Sequence, residues 1–173
     1  MTPEMKDRMA AAVREFHLPK YEEIPNVGLY LEQVTKYISE YLAPLEDVNI
    51  TASMISNYVK RKLVENPVKK QYYREQIAYL IFIAVTKNVL SLDNLRIFIE
   101  IQKRTYDSKT AYDYFCEELE NLLFFVFRIR EYPSVEDTRA TDEKIMLRNT
   151  IITVAHQTYL DMFFKIIQSE YGQ

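Results

Sequence analysis

The chain contains very little glycine and cysteine. Its 173 residues include two glycines, Gly28 and Gly172, and one cysteine, Cys116. Tight β-turns and glycine-rich phosphate loops both depend on glycine, so an all-β sandwich and a glycine-loop nucleotide-binding enzyme are disfavoured. A single cysteine cannot form an internal disulfide, which indicates a reducing compartment. These two shortages predict a mainly helical, cytoplasmic protein.

Long apolar segments are also missing. The longest apolar run, residues 77–85, has nine residues, about half of what a membrane-spanning helix needs. The N-terminal segment mixes charges into its apolar positions and lacks the continuous apolar stretch of a signal peptide. Apolar residues make up 48% and charged residues 27%, which is typical of a globular chain with a buried core. We expect a soluble protein that does not contact a membrane.

Helical periodicity and capping signals predict seven helices. Thr51 and Ser91 are predicted N-caps of the third and fifth helices, and Asp107 or Ser108 caps the sixth. Residues 68–72 are predicted to pair as a short strand, and residues 131–140 form a polar loop. The predicted fold class is all-α, or mainly α with a minimal β-hairpin wing: a winged helix-turn-helix followed by a C-terminal helical pair. The predicted helices span residues 2–16, 29–42, 52–63, 73–88, 92–104, 108–130 and 141–169.

Positive charge is concentrated in residues 51–74. This segment carries six cations against one anion, Glu65, although the whole chain has a net charge of −3. Concentrated positive charge on an acidic protein is expected of a surface that binds phosphates. A basic helix face is more often a solvated surface without a partner, so charge alone leaves both interpretations open.

The predicted helix 52–63 adds short polar side chains to this charge. Its apolar residues recur at intervals of three and four, so its polar residues face outward. Short polar groups can bond base edges in the major groove, and cations one turn later can meet the phosphate backbone. The preceding helix, residues 29–42, would be the scaffold helix of a helix-turn-helix pair. The candidate DNA-binding residues are Ser53, Ser56 and Asn57 for base edges, Lys60, Arg61 and Lys62 for phosphates, Lys69 and Lys70 at the hairpin tip, and Arg74.

Residues 55–99 contain four features of one DNA-binding family. They are Tyr58, Leu63-Val64 followed by Pro67, Tyr72 five residues before Ile77, and the segment LSLDNL at residues 90–95. In this order they resemble the winged-helix domain of MerR-type transcription regulators, which implies that the partner is double-stranded DNA. Ser56 and Lys62 stand where that family usually has arginine and glycine, and the wing is shorter and lacks glycine.

Two longer segments resemble a second family. They are LPKYEEIPNVGLYLEQVTKYI, residues 18–38, and NYVKRKLVENPVKKQYYREQIAYLI, residues 57–81. Both look like a bacterial family known as domain of unknown function 1836, some of whose members are thought to act as transcription regulators. This resemblance agrees with the DNA-binding hypothesis and adds little about mechanism.

The sequence contains no recognisable catalytic or metal-binding motif. His17 and His156 are far apart and fit no metal-binding spacing. Cys116 precedes two glutamates, and neighbouring acids raise the pKa of a thiol, which disfavours a nucleophile. The acidic residues of the same helix are interpreted as a solvated face. We therefore expect no catalytic site, no metal and no cofactor.

The two C-terminal helices are rich in aromatic residues, more than one helix seam can bury. We expect them to form core and a homodimer interface. The alternative is a pocket for an apolar or aromatic small-molecule effector. The residues concerned are Tyr112, Tyr114, Phe115, Phe124, Phe125, Phe127, Tyr159, Phe163 and Phe164.

Together these features favour a homodimeric transcription regulator that reads a palindromic DNA site, because one short recognition helix reads few base pairs. Residues 1–104 are predicted to form the DNA-binding domain, and residues 105–173 the dimerisation and effector region. The alternative is an all-helical interaction module whose basic face binds an acidic protein partner. An enzyme is not favoured.

Overall fold

A computed structural model describes residues 2–133 and 140–171. Within these ranges the chain forms seven α-helices and one two-stranded antiparallel sheet, which confirms the predicted mainly helical class with a small β wing. The predicted polar loop lies mostly outside the described residues. The elements are α1 (Pro3–Arg14), β1 (Leu29–Tyr30), α2 (Leu31–Leu42), α3 (Ala52–Lys60), β2 (Gln71–Tyr72), α4 (Arg74–Thr86), α5 (Leu92–Thr105), α6 (Ser108–Val126) and α7 (Asp142–Tyr171).

Three helices begin at the predicted N-caps. In each, a side-chain oxygen accepts a hydrogen bond from the backbone N–H three residues later, which satisfies a donor that the helix itself leaves free. These bonds confirm that local capping chemistry sets the start of α3, α5 and α6. They join Thr51 to Met54 (3.2 Å), Ser91 to Asn94 (3.2 Å) and Asp107 to Thr110 (2.9 Å).

Helices α3 and α6 end three and four residues earlier than predicted, and for the same reason. At the end of α3 the Leu63 N–H donates to the Tyr58 carbonyl at 3.0 Å, while Lys62 has a left-handed φ of 60°. At the end of α6 the Ile129 N–H donates to the Phe124 carbonyl at 2.8 Å, across Arg128 with a φ of 58°. Both ends are Schellman motifs, whose left-handed position usually holds glycine. Because a lysine and an arginine occupy this position here, no glycine in the sequence marks where the two helices end.

The wing is built from two distant segments. In the sheet, Leu29 of β1 lies opposite Tyr72 of β2, and Tyr30 lies opposite Gln71. The second predicted helix therefore starts at Leu31, two residues later than expected. Just before β2, the backbones of Val68 and Gln71 exchange two hydrogen bonds of 3.0 and 2.9 Å and close a two-residue turn.

Helix α4 lies at the centre of the core, as predicted from its nearly uninterrupted apolar sequence. Ile77, Leu80, Ile81 and Ile83 are completely buried. The same core cluster continues from α1 to α7 across residue 104, so the two predicted regions share one hydrophobic interior. None of the described helices has the length and apolar character needed to cross a membrane.

Helices α6 and α7 run parallel. The residues that contact each other advance together along both helices, from the start of α6 to its end. The contacts are Tyr106 with Thr141 (2.9 Å), Glu118 with Arg148 (2.9 Å) and the rings of Phe127 and Tyr159 (5.3 Å).

Candidate nucleic-acid interface

Helix α3 buries one side and leaves the other open to solvent. Ile55 and Tyr58 are 0% and 4% exposed and anchor the helix in the core. The predicted base-reading residues Ser53, Ser56 and Asn57 are all exposed on the other side. The Ser56 hydroxyl donates to the Ala52 carbonyl at 2.9 Å, so its oxygen remains available as an acceptor. This side is free to present hydrogen-bonding groups to a partner.

Five cationic side chains border this exposed side, and we call them the basic surface: Lys60, Arg61, Lys62, Lys69 and Lys70. All five are exposed, and none forms an ion pair with a residue that the structure describes. The one anion of the segment, Glu65, pairs instead with Lys103 of α5 at 3.4 Å. The charge of the basic surface is therefore not neutralised within the described chain.

Three lysines of the basic surface have left-handed backbones. Lys62, Lys69 and Lys70 have φ values of 60°, 50° and 66°. Positive φ at both central residues makes the Lys69-Lys70 turn type I′, which normally uses Asn-Gly or Gly-Gly. A side chain with a β-carbon costs about 1 kcal/mol in this conformation. Residues that keep such strain concentrate at functional sites.

Lys62 also accounts for one departure from the MerR pattern. It stands where that family commonly has glycine, and it occupies the left-handed position of the Schellman motif that ends α3. The backbone geometry that favours glycine is therefore present, although the residue is a lysine.

The wing contributes two exposed residues that sequence reasoning missed. Tyr30 and Val68 are 54% and 57% exposed, and each lies opposite Gln71. Residues directly opposite in antiparallel pairs share one face, so Tyr30, Gln71 and Val68 form a single outer face beside the lysine turn. Only the pairing register reveals this, because β1 precedes β2 by some forty residues.

Arg74 does not join the basic surface. Its guanidinium forms an ion pair with Glu22 and donates to the carbonyl oxygens of Ile24 (2.8 Å) and Glu22 (3.1 Å). It also lies 5.8 Å from the centre of the Tyr21 ring. The side chain is only 19% exposed. Because its charge is neutralised within the chain, we leave Arg74 out of the candidate interface.

The connection between α2 and α3 is longer than a helix-turn-helix turn. It has nine residues, including a 3₁₀ turn at Ala43–Leu45, whereas the usual turn has three or four. Side chains from other parts of the chain hold it: Lys87, directly after α4, donates to the Asn49 side chain at 2.9 Å, and Lys165 of α7 pairs with Glu46. The orientation of α3 therefore depends on α4 and α7 as well as on α2.

The residues of the predicted aromatic cluster differ in their exposure to solvent. Tyr112, Phe115, Phe124 and Phe127 are buried, while Phe125 and Phe164 are about half exposed. Tyr114, Tyr159 and Phe163 are partly buried. The cluster thus supplies both core and surface.

Other candidate groups offer no reactive arrangement. Burial is the main cause that raises the pKa of the Cys116 thiol to about 12, so the thiol is inert near neutral pH. His17 and His156 are both exposed. Among the described residues, no three His, Cys, Asp or Glu side chains converge as a metal site would require.

A protein-family comparison gives a match over residues 19–115, more than half of the chain. The chain belongs to the family Domain of unknown function (DUF1836). The match confirms the resemblance expected from residues 18–38 and 57–81. No curated protein and no solved structure matches the chain significantly.

The DUF1836 match covers all the elements that form the interface. It extends from the segment before β1, through α3 and the wing, to Phe115 inside α6. Helix α7 of this DUF1836 protein lies beyond the matched residues, although it packs on the same core.

Proposed function

We propose that the protein is a transcription regulator that binds double-stranded DNA through α3 and the wing. The observation that carries the proposal is the basic surface: five exposed cations without carboxylate partners among the described residues, on a chain of net charge −3. Cationic side chains that neutralise phosphates release the counterions condensed on DNA, which supplies a large share of the affinity for DNA. In this proposal the protein acts in the cytoplasm.

Each part of the surface has a distinct role in the proposed complex. The exposed side of α3 enters the major groove, where Ser53, Ser56 and Asn57 bond base edges. Lys60, Arg61 and Lys62 follow at the end of α3 and meet the phosphates that border the groove. Lys69 and Lys70 reach a neighbouring run of phosphates from the tip of the wing. This division is that of a MerR-like winged helix-turn-helix, with the scaffold role assigned to α2.

The proposed DNA-binding form is a homodimer built on α7. Ile145, Leu160 and Phe164 are 47%, 47% and 55% exposed. Asn149 and His156 lie on the same side of the helix, and the successive positions 145, 149, 152, 156, 160, 163, 164 and 167 include no charged residue. An uncharged apolar face suits a two-fold contact, in which the same surface of each copy meets its equivalent. Two copies of α3 would then read a palindrome.

The test is the salt dependence of binding to promoter fragments from the neighbourhood of its own gene. The variants are Lys60→Ala with Arg61→Ala, and Lys69→Asn with Lys70→Gly. Each lost phosphate contact should reduce the slope of log affinity against log salt by about 0.9. The wing variant also replaces both strained lysines by the residues that a type I′ turn prefers, so it should not lose thermal stability.

The matched control is Lys6→Ala with Arg14→Ala, which removes the same charge from exposed positions of α1. For this control, the slope of log affinity against log salt should equal the wild-type slope once the general effect of the lower net charge is taken into account. If the α3 and wing variants keep the wild-type slope, the basic surface does not contact phosphates.

A second candidate is a module that binds an acidic protein. The nine-residue connection between α2 and α3 favours it, because this connection departs from helix-turn-helix geometry. The basic surface would then meet carboxylates of a partner instead of phosphates. Absence of salt-sensitive DNA retention, together with capture of one acidic protein by the wild type and not by the Lys60/Arg61 variant, would support this candidate.

A further inference from the structure

Two adjoining cavities lie among α4, α5, α6 and α7, away from the basic surface. They enclose about 160 and 40 Å³ and have four wall residues in common: Phe98, Gln102, Ala111 and Leu147. The wall of the larger cavity also includes Tyr114, Met146, Glu143 and Lys144, and that of the smaller one includes Phe82, Tyr112 and Phe115. Residues of four helices thus line two neighbouring, mainly apolar cavities.

Several polar groups around these cavities already have hydrogen-bond partners, whereas the buried Tyr112 hydroxyl has none among the described residues. The Gln102 side chain accepts from the Tyr79 hydroxyl and donates to the Tyr106 carbonyl, both at 2.8 Å. The Thr110 hydroxyl donates to Asp107 at 2.7 Å, and the Thr105 hydroxyl donates to the Ile101 carbonyl at 3.1 Å. The surface that lines both cavities is mainly apolar, although Glu143 and Lys144 of opposite charge also border the larger one, and this favours a neutral molecule over an anion or a cation.

Size narrows the class of ligand further. An apolar cavity of about 150 Å³ in another protein stays dry and binds benzene, so the larger cavity here accommodates a single aromatic ring. The smaller cavity adds room for a short substituent. Thr105 and Thr110 at the edge of the larger cavity are exposed, which gives a ligand a route in between α5 and α6.

We propose that this cavity is a binding site for a neutral molecule with one aromatic ring and a short apolar substituent. Dispersion contacts with Phe98, Leu147 and Met146 would hold the ring, and expulsion of apolar surface from water would drive binding. The site is separate from the proposed DNA interface, and binding does not depend on that proposal.

A regulatory role for this ligand rests on the proposed function. The walls include Met146 and Leu147 near the start of α7, and the same helix, through Lys165, pairs with Glu46 in the connection before α3. A ligand that is bound more tightly when α7 holds this connection would shift the population of α3 orientations. In this way the occupied cavity would change the affinity for DNA.

The test of binding uses toluene and ethylbenzene as probes and measures the melting temperature and binding isotherms of the whole chain. Both probes should bind saturably and raise the melting temperature of the wild type. Ala111→Leu places a larger side chain in the wall shared by both cavities and should weaken binding at least tenfold. Ala11→Leu makes the same change at an exposed position of α1 and should leave binding unchanged.

A second measurement does not depend on a variant. In the wild type, nuclear Overhauser contacts from the probe protons should reach the methyl groups of Ala111, Leu147 and Met146. Absence of saturable binding, contacts to other methyl groups only, or equal affinity of the Ala111→Leu variant would each overturn the binding site.

DNA affinity with and without saturating probe tests the regulatory role. A change of fivefold or more in the wild type, absent in Ala111→Leu, would support coupling. An unchanged DNA affinity would refute the regulatory role and leave the binding site intact. Failure to bind DNA at all would refute the proposed function. The probe isotherms would still show whether the cavity binds a ligand.

Discussion

Lys62, Lys69 and Lys70 occupy backbone positions that glycine or asparagine would fill at lower cost. Each has a positive φ, and each side chain is exposed without an ion pair among the described residues. A lysine at such a position lowers stability by about 1 kcal/mol and contributes no packing in return. We infer that the ammonium groups have a function, which explains why lysine occupies these three positions despite the cost in stability.

Two substitutions of Lys62 separate strain from charge. Lys62→Gly should raise the free energy of unfolding by about 1 kcal/mol, because glycine accepts the left-handed position at the end of α3. Lys62→Ala removes the same charge but keeps a β-carbon, so its stability should stay within about 0.5 kcal/mol of the wild type. Urea unfolding measures both values.

The same pair of variants also reports on DNA. Both should lose affinity for DNA to the same extent, since both lack the ammonium group. If the two variants have equal free energies of unfolding, the backbone at residue 62 is not strained. If they lose DNA affinity to different extents, backbone geometry matters more than charge.

At the scale of elements, Arg74 joins the start of α4 to the connector before β1. The exposed ion pair with Glu22 contributes little, because the glutamate side chain is 61% exposed. The bonds to the carbonyl oxygens of Ile24 and Glu22 contribute more, since a cationic donor satisfies acceptors that the connector cannot pair itself. Arg74 is therefore a structural clamp for the helix that follows the wing.

Arg74→Ala should lower the free energy of unfolding by about 2 kcal/mol, because two carbonyl oxygens lose a charged donor. Glu22→Gln removes the ion pair alone and should cost less than about 1 kcal/mol. Chemical unfolding checks both values. Neither change should alter the salt slope of DNA binding, and a slope that falls in Arg74→Ala as it does in the Lys60/Arg61 variant would return Arg74 to the interface.

At the scale of the whole molecule, α7 connects three separate features. It packs beside α6 along its length, supplies one wall of the cavity, and reaches the connection before α3 through Lys165. Its outer side carries the uncharged apolar face proposed for the dimer. The proposed dimer contact, the proposed ligand site and the contact with the connection before α3 thus all involve one helix.

Leu160→Glu combined with Phe164→Glu should convert the dimer to a monomer, because the two-fold contact would bring four carboxylates together in a desolvated face. Light scattering on a gel-filtration column measures the mass. Ile97→Glu is the control, since Ile97 on α5 is 52% exposed, close to the 55% of Phe164, and lies off this face. A monomeric wild type, or a dimer that tolerates both glutamates, would remove α7 from the interface.

The sequence by itself determined the features that arise from local chemistry. Thr51, Ser91 and Asp107 set three helix starts through bonds that span three residues. The apolar period placed Ile55 and Tyr58 inward and left the basic surface outside. The ends of α3 and α6 were missed because Lys62 and Arg128 adopt the left-handed backbone conformation, which residues with a β-carbon usually avoid. Neither lysine nor arginine predicts this conformation from sequence.

Tertiary structure alone decided the features that join distant parts of the chain. The partner of β2 is β1, and the partner of Arg74 is Glu22, 52 residues away. The parallel packing of α6 and α7 and the cavities among four helices also depend on contacts between distant parts of the chain. No local period or cap encodes such pairs, because they form only when the burial of apolar faces brings separate elements together.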